Sequence, residues 1–211
     1  YLSLALAIVP IKFASENQAK DSDNEFSGLI KTPLAQEDLS KIKNPIGNIG
    51  IVSDGVYRGE ELDDEADYQF LRTRLGVQTV INLRRWHKDE GRYCKKYQLN
   101  CVDFPLTLYP GKSNSFDWEM FKQGYYFLLK EQQAGRTLYF HCKHGSDRTG
   151  TLAAALMIRQ RACGKDFNPT ELWETILQTL EKHGFHNIYR FLKENIKDWI
   201  YHFDQNQWLC E

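Results

Sequence analysis

Ten residues, His141-Cys142-Lys143-His144-Gly145-Ser146-Asp147-Arg148-Thr149-Gly150, constrain this chain more than any other stretch. Before them, Thr137-Leu138-Tyr139-Phe140 has the β-branched, aliphatic and aromatic make-up of a short buried strand. After them, Thr151 to Arg159 are mostly strong helix formers. The segment is therefore a tight loop joining a strand to a helix, with a nucleophile-capable thiol at its start and a permanent cation at its end.

Such a loop turns successive backbone N–H groups inward and makes an anion-binding nest. The helix dipole adds roughly half a positive charge there, and a cysteine at the mouth of such a nest is favoured as the thiolate. Arg148 carries a planar fork that holds two phosphate oxygens at once. Gly145 permits a positive φ or a close approach of backbone to anion. Thr149 can place a hydroxyl near the sulfur, and His141 can brace the loop from behind. The expected product is a phosphate cradle with a nucleophile beneath it.

Cys142 and Arg148 enclose five residues, and the string fits His-Cys-x-x-Gly-x-x-Arg-Thr-Gly. It resembles the phosphate-binding loop of the cysteine-dependent protein tyrosine phosphatase superfamily, nearest to its compact dual-specificity-like branch in bacteria. The resemblance implies in-line attack by Cys142 on a phosphomonoester, a phosphocysteine intermediate and its hydrolysis by water. Arg148 would hold the phosphoryl oxygens, an Asp would protonate the leaving oxygen, and no metal or other cofactor is implied.

At 211 residues with a net charge of −1, the chain fits one domain with an N-terminal extension, and nothing global favours nucleic acid or a membrane surface. Attraction to anions must be local. Its five cysteines suit neither a disulfide framework nor a zinc site. Cys94 and Cys101 flank one connection and could pair only in an oxidising compartment; the expectation for each of the four cysteines besides Cys142 is a free, partly buried thiol. Residues 1–43 are expected to be the extension and 44–211 the domain. Tyr1 to Pro10 is an apolar run too short to span a bilayer. With the polar stretch Ser15 to Ser27 after it, it reads as the tail of a secretory signal, although Ala14 to Ala19 fit a cleavage site poorly. The expected location is the periplasm or the cell exterior; the alternative is a strand or helix docked on a cytoplasmic domain.

Ile49–Val52 and Val56–Arg58 around Ser53-Asp54-Gly55 predict a hairpin. Glu60 to Leu75 predicts a helix ended by Gly76, and Val77 to Leu83 a central strand. A short helix over Asp89 to Tyr97, a strand over Cys101 to Leu106 and a helix over Asp117 to Gln133 lead to the strand before the loop. Thr170–Lys182 and His186–Phe203 predict two amphipathic C-terminal helices. This alternation argues an α/β fold, a central mostly parallel sheet with helices on both faces. Ligands in such sheets gather beyond the carboxyl ends of strands. The basic run Arg84-Arg85-Trp86-His87-Lys88 leaves a strand there, so Arg85 is a candidate for the same crevice as Cys142; a solvated basic loop is the alternative.

The proton donor is the open point. In the resembling family it sits on a mobile loop ahead of the helix and strand that lead to the Cys, and here Thr107 to Phe116 contains no Asp. Asp117 closes that loop and is the favoured acid, because Gly111-Lys112-Ser113-Asn114 could carry it inward; it could equally be a helix N-cap. Asp103 on the preceding strand and Asp147 within the loop are the alternatives. The sequence Cys-Lys-x-Gly-x-Asp-Arg-Thr resembles loops of several phosphoinositide phosphatases. Lys143, His144, Gly145, Ser146, Asp147 and Thr149, with Lys112 and Arg85, complete the candidate substrate contacts. The expected substrate is a phosphorylated protein of the tyrosine or dual-specificity type. The alternatives are an inositol polyphosphate or phosphoinositide, or a phosphate-binding module without turnover. Rhodanese-like carriers and arsenate reductases match the spacing less well, and low-molecular-weight phosphatases carry their loop near the N-terminus.

Overall fold

A computed structural model describes Leu39 and residues 42–89, 91–109, 116–185 and 189–211. The expected extension up to residue 38, Lys112 with its Gly111–Asn114 segment, and His186 at the start of the last helix lie outside the described residues. Five strands form one sheet: β1 (Gly50–Ser53), β2 (Val56–Gly59), β3 (Thr79–Arg84), β4 (Asn100–Leu106) and β5 (Leu138–His141). Their order is β1-β2-β5-β3-β4. β1 runs antiparallel to β2, and the remaining pairings are parallel. β5, which delivers the motif, is thus flanked by β2 and β3. β4 is an edge strand carrying Pro105.

Among the described residues six helices cover the sheet: α1 (Glu65–Arg74), α2 (Gly91–Lys96), α3 (Trp118–Gln133), α4 (Asp147–Ala162), α5 (Pro169–Lys182) and α6 (Arg190–Tyr201). The expected α/β architecture is the observed one. Side chains alternate along the short strands, and so divide the core in two. Val56, Ile81, Leu83, Leu138 and Phe140 join α3 to α6 on one face. Tyr57, Val80 and Tyr139 join α1 and α2 on the other. Leu39 and Ile42 also enter that second cluster, upstream of the expected domain start.

Two helix starts differ from expectation for local reasons. α1 begins at Glu65, because Asp64 accepts from Ala66 N and Asp67 reaches back to the Asp64 N–H, closing a capping box. α4 begins at Asp147, four residues before Thr151, so Asp147, Arg148 and Thr149 form its first turn. The loop itself is short and tight. Gly145 has φ +62°, and a Cβ there would lie 2.6 Å from the Gly59 carbonyl carbon, so the apex of the loop rests directly on the end of β2. Any side chain at 145 would break both the conformation and the contact. Gly150 is equally tight, with a built Cβ 2.8 Å from Phe185, which is how α4 seats against the turn after α5.

The cysteines correct the sequence reading. Four of the five are paired, Cys94 with Cys101 and Cys163 with Cys210, and Cys142 is the free one. The first bridge ties α2 to edge strand β4. The second ties the end of α4 to the last 3-10 turn, Gln207–Cys210, where the Leu209 carbonyl also accepts from Arg159. No pattern of spacing exposes this second pair, since 47 residues separate its members. Among the described residues no helix is long and apolar enough to cross a membrane.

Reduction tests the bridges. Closing a 47-residue loop is worth about 4 kcal/mol by chain entropy, against roughly 2 kcal/mol for the 7-residue one. Denaturant unfolding of the Cys163→Ser variant is therefore expected to lose more stability than that of Cys94→Ser. Equal losses would mean that the long bridge does not constrain the unfolded chain.

Candidate active site

The motif sits at the carboxyl end of β5, where the chain must turn into α4. His141 is fully buried, and its Nε2 lies 3.1 Å from a carboxylate oxygen of Asp89, itself nearly buried. The imidazole also stacks on Tyr139, ring centroids 5.7 Å apart. His141 is thus held by Asp89, which the sequence did not single out, while its Nδ1 is buried without a hydrogen-bond partner. Asn48 fastens the far side of the loop: its side-chain amide donates to the carbonyls of His144 (2.9 Å) and His183 (3.0 Å).

Ser146 donates to the His144 carbonyl, and Thr151 to that of Asp147, so the loop's own hydroxyls stiffen it. Lys143 and His144 are exposed at the rim, whereas Gly145, Ser146, Asp147 and Thr149 are buried. The Arg148 guanidinium reaches across the sheet ends and donates to the carbonyls of Leu106 (3.2 Å) and Leu83 (3.4 Å). Its Nε and the Thr149 hydroxyl are buried without a hydrogen-bond partner. Two unpaired donors side by side on the first turn of a helix are costly unless an acceptor uses them.

A cavity of about 220 Å³ opens beyond β3 and β4 and is lined by Arg84, Arg85, Leu106, Thr107, Lys143 and Arg148, with Trp86 and Tyr109 at its mouth. Arg85, expected at the crevice, is there; it donates to the Thr107 hydroxyl and stacks on Trp86 at 4.7 Å. Arg84 joins it and pairs with Glu61. Burial, and then the like charge of Arg148, lowers the pKa of Arg84, while the charge of Cys142 opposes that shift. The basic loop keeps its shape through Asn82, whose amide donates to the His87 carbonyl and to Asp103. A larger cavity of about 400 Å³ lies over α1, beside Ala66, Gln69 and Phe70, and its lining holds neither cysteine nor histidine.

Cys142 is 3% exposed and belongs to the main core cluster, with its neighbour Lys143 on the crevice wall. Little of the thiol is open to solvent in this conformation. Tyr189, just before α6, also joins the site: burial raises its pKa, and it senses the charges of Asp147, Arg148 and Cys142. Of the three candidate acids, Asp103 is exposed and accepts from Asn82. Asp117 is exposed and caps α3 by accepting from Met120 N at 2.9 Å. Asp147 is buried in the first turn of α4.

A sequence model of the tyrosine phosphatase family matches residues 38–191. Tyrosine-protein phosphatase vhp-1 of Caenorhabditis elegans is 29% identical over 145 residues, covering 66% of this chain but only 20% of that protein's length. Among solved structures, the catalytic core of the PP-IP phosphatase SIW14 from S. cerevisiae superposes with a TM-score of 0.55 at 17% identity, over 78% of this chain and 96% of that one. TpbA of P. aeruginosa gives a TM-score of 0.55 at 19% identity, over 83% and 96%. These two likenesses speak for the fold, and the matched span takes in the whole loop with the sheet that presents it. The chain therefore belongs to the tyrosine phosphatase family and carries a cysteine-dependent phosphatase domain.

Proposed function

We propose that Cys142 and Arg148 hydrolyse phosphomonoesters, with phosphorylated proteins of the tyrosine or dual-specificity type as substrates. The observation that carries this is the pair of buried, unpartnered donors, Arg148 Nε and Thr149 Oγ1, on the first turn of α4. A phosphoryl group seated at that helix N-terminus supplies the acceptors they lack. Charge-assisted bonds to phosphate are stronger than bonds to neutral carbonyls. A bound phosphoryl group therefore draws the Arg148 guanidinium from the Leu83 and Leu106 carbonyls.

In the first step the Cys142 thiolate attacks phosphorus in line; the S–P bond forms and the O–P bond breaks. The leaving oxygen takes a proton from the acid. In the second, water attacks the phosphocysteine, its proton returns to that carboxylate, and the thiolate leaves. Our assignment for the acid is Asp117, the one carboxylate between Thr107 at the crevice and the body of α3.

A second reading is favoured by the crevice wall. Arg84, Arg85, Lys143 and Arg148 concentrate positive charge beside the loop, which suits an inositol polyphosphate or a phosphoinositide headgroup. The solved SIW14 core is described as a PP-IP phosphatase. For location we propose the bacterial periplasm or the cell exterior, supported by two disulfides of a kind that reducing compartments rarely keep.

A phosphate-release panel decides between substrates: phosphotyrosine and phosphoserine peptides, phosphoinositides and inositol hexakisphosphate. Highest kcat/KM on phosphotyrosine peptides is the expected result. On a generic aryl phosphate, Cys142→Ser should abolish turnover, and Arg148→Lys should lose roughly 10²–10³-fold, since an ammonium cannot reproduce the fork. Turnover retained by Cys142→Ser ends the covalent mechanism. With a poor leaving group, Asp117→Asn should fall by about 10²–10⁴-fold while Asp103→Asn stays near the parent. A parent-like Asp117→Asn together with a crippled Asp147→Asn would move the acid into the loop.

A further inference from the structure

Arg58 lies on β2 and is 1% exposed. Strand alternation places it on the same face as Val56, beneath the loop and towards α4. Its Nη2 donates to the Gly145 carbonyl at the point where the loop rests on Gly59. Its Nε and Nη1 are buried without hydrogen-bond partners, and among the described residues it forms no ion pair. Removing a guanidinium from water without a counter-charge is costly. A fold that keeps it there must supply an anion.

The sheet order points to the thiol. β5 lies between β2 and β3, so the thiol just past the end of β5 has Arg58 on one side and Arg84 on the other. Arg84 faces the substrate crevice and is partnered by Glu61. Arg58 is not among the residues lining the crevice, and among the described residues it has no carboxylate of its own. We propose that Arg58 is a positioning residue whose buried charge is the structural counter-charge of the Cys142 thiolate, and whose bond to Gly145 fixes the loop around it. Burial lowers the pKa of Arg58 to about 10, and the attraction of Cys142 works against that shift. The inference rests on Cys142 being the reacting thiol. It adds that part of the thiolate's stabilisation comes from behind the loop, through a residue that never meets substrate.

Other groups face this pair. Tyr139 from β5 acts on Arg58, and Arg84 from β3, with Asp89 near it, acts on the thiol; Asp147 and Arg148 follow in the loop, while Lys143 and His144 stand at its exposed rim. Tyr189 comes from before α6, and His183 from the end of α5. Burial, and then the charge of Arg58, holds His183 down to about 4, so it is neutral where a thiol titrates. The test must therefore compare variants in which only residue 58 changes.

The experiment follows the pH dependence of Cys142 alkylation by iodoacetamide, read by mass spectrometry, in the parent and in Arg58→Met, Arg58→Gln and Arg58→Lys. The readout needs no substrate. Failure here, with Cys142→Ser still inactive on aryl phosphate, would sink this inference alone. The two neutral variants should move the alkylation midpoint upward by about one pH unit or more; Arg58→Lys, which keeps the charge, should hold it near the parent. A purely structural residue would lower the melting temperature in all three without separating neutral from charged variants, and that result overturns the proposal. If neither neutral variant folds, Arg58→His takes their place: a midpoint above that of Arg58→Lys supports the counter-charge, and one equal to it refutes it.

Discussion

The contact between Gly145 and the end of β2 governs the rest of the site. The loop reverses the chain within a few residues because its apex lies against backbone, where no side chain fits. That seating positions the Gly145 carbonyl over Arg58, and it starts α4 early enough to put Arg148 and Thr149 in the first turn. The sheet is thus a platform whose β2 end sets the height of the loop, and whose β3 and β4 ends receive the guanidinium of Arg148.

Around this contact the fold distributes charge unevenly. The chain as a whole is close to neutral, yet Arg58, Arg84 and Arg148 all gather near the thiol. Glu61 offsets Arg84, and Asp89 pairs with His141 behind the loop. What remains in front is positive, with Trp86 78% exposed at the mouth. A crevice built this way attracts phosphorylated ligands by local field, without a basic protein overall.

The sequence carried the loop and the alternation of elements, because both are local. The strand before Cys142, the helix after it and Arg85 beside the crevice follow from composition, spacing and strand polarity. What it withheld was tertiary. Arg58 reads as one more polar residue in a four-residue strand, and its burial depends on β5 and α4 arriving from far along the chain. Asp89 acquires its role only when β3 is laid beside β5. Cys163 and Cys210 meet because the C-terminal turns fold back onto α4. Asp117 was legible as a cap and as an acid; the structure displays the capping bond, and chemistry must test the other role.

One edge of the sheet has a consequence for how the molecule behaves in company. β4 is outermost, and Pro105 within it has no N–H to offer a sixth strand. The neighbouring bridge from Cys101 to α2 fastens that strand to its own domain. A second molecule seeking to extend the ladder meets an interrupted template there, so crowding at high concentration is resisted on the border that would otherwise invite fibrous stacking.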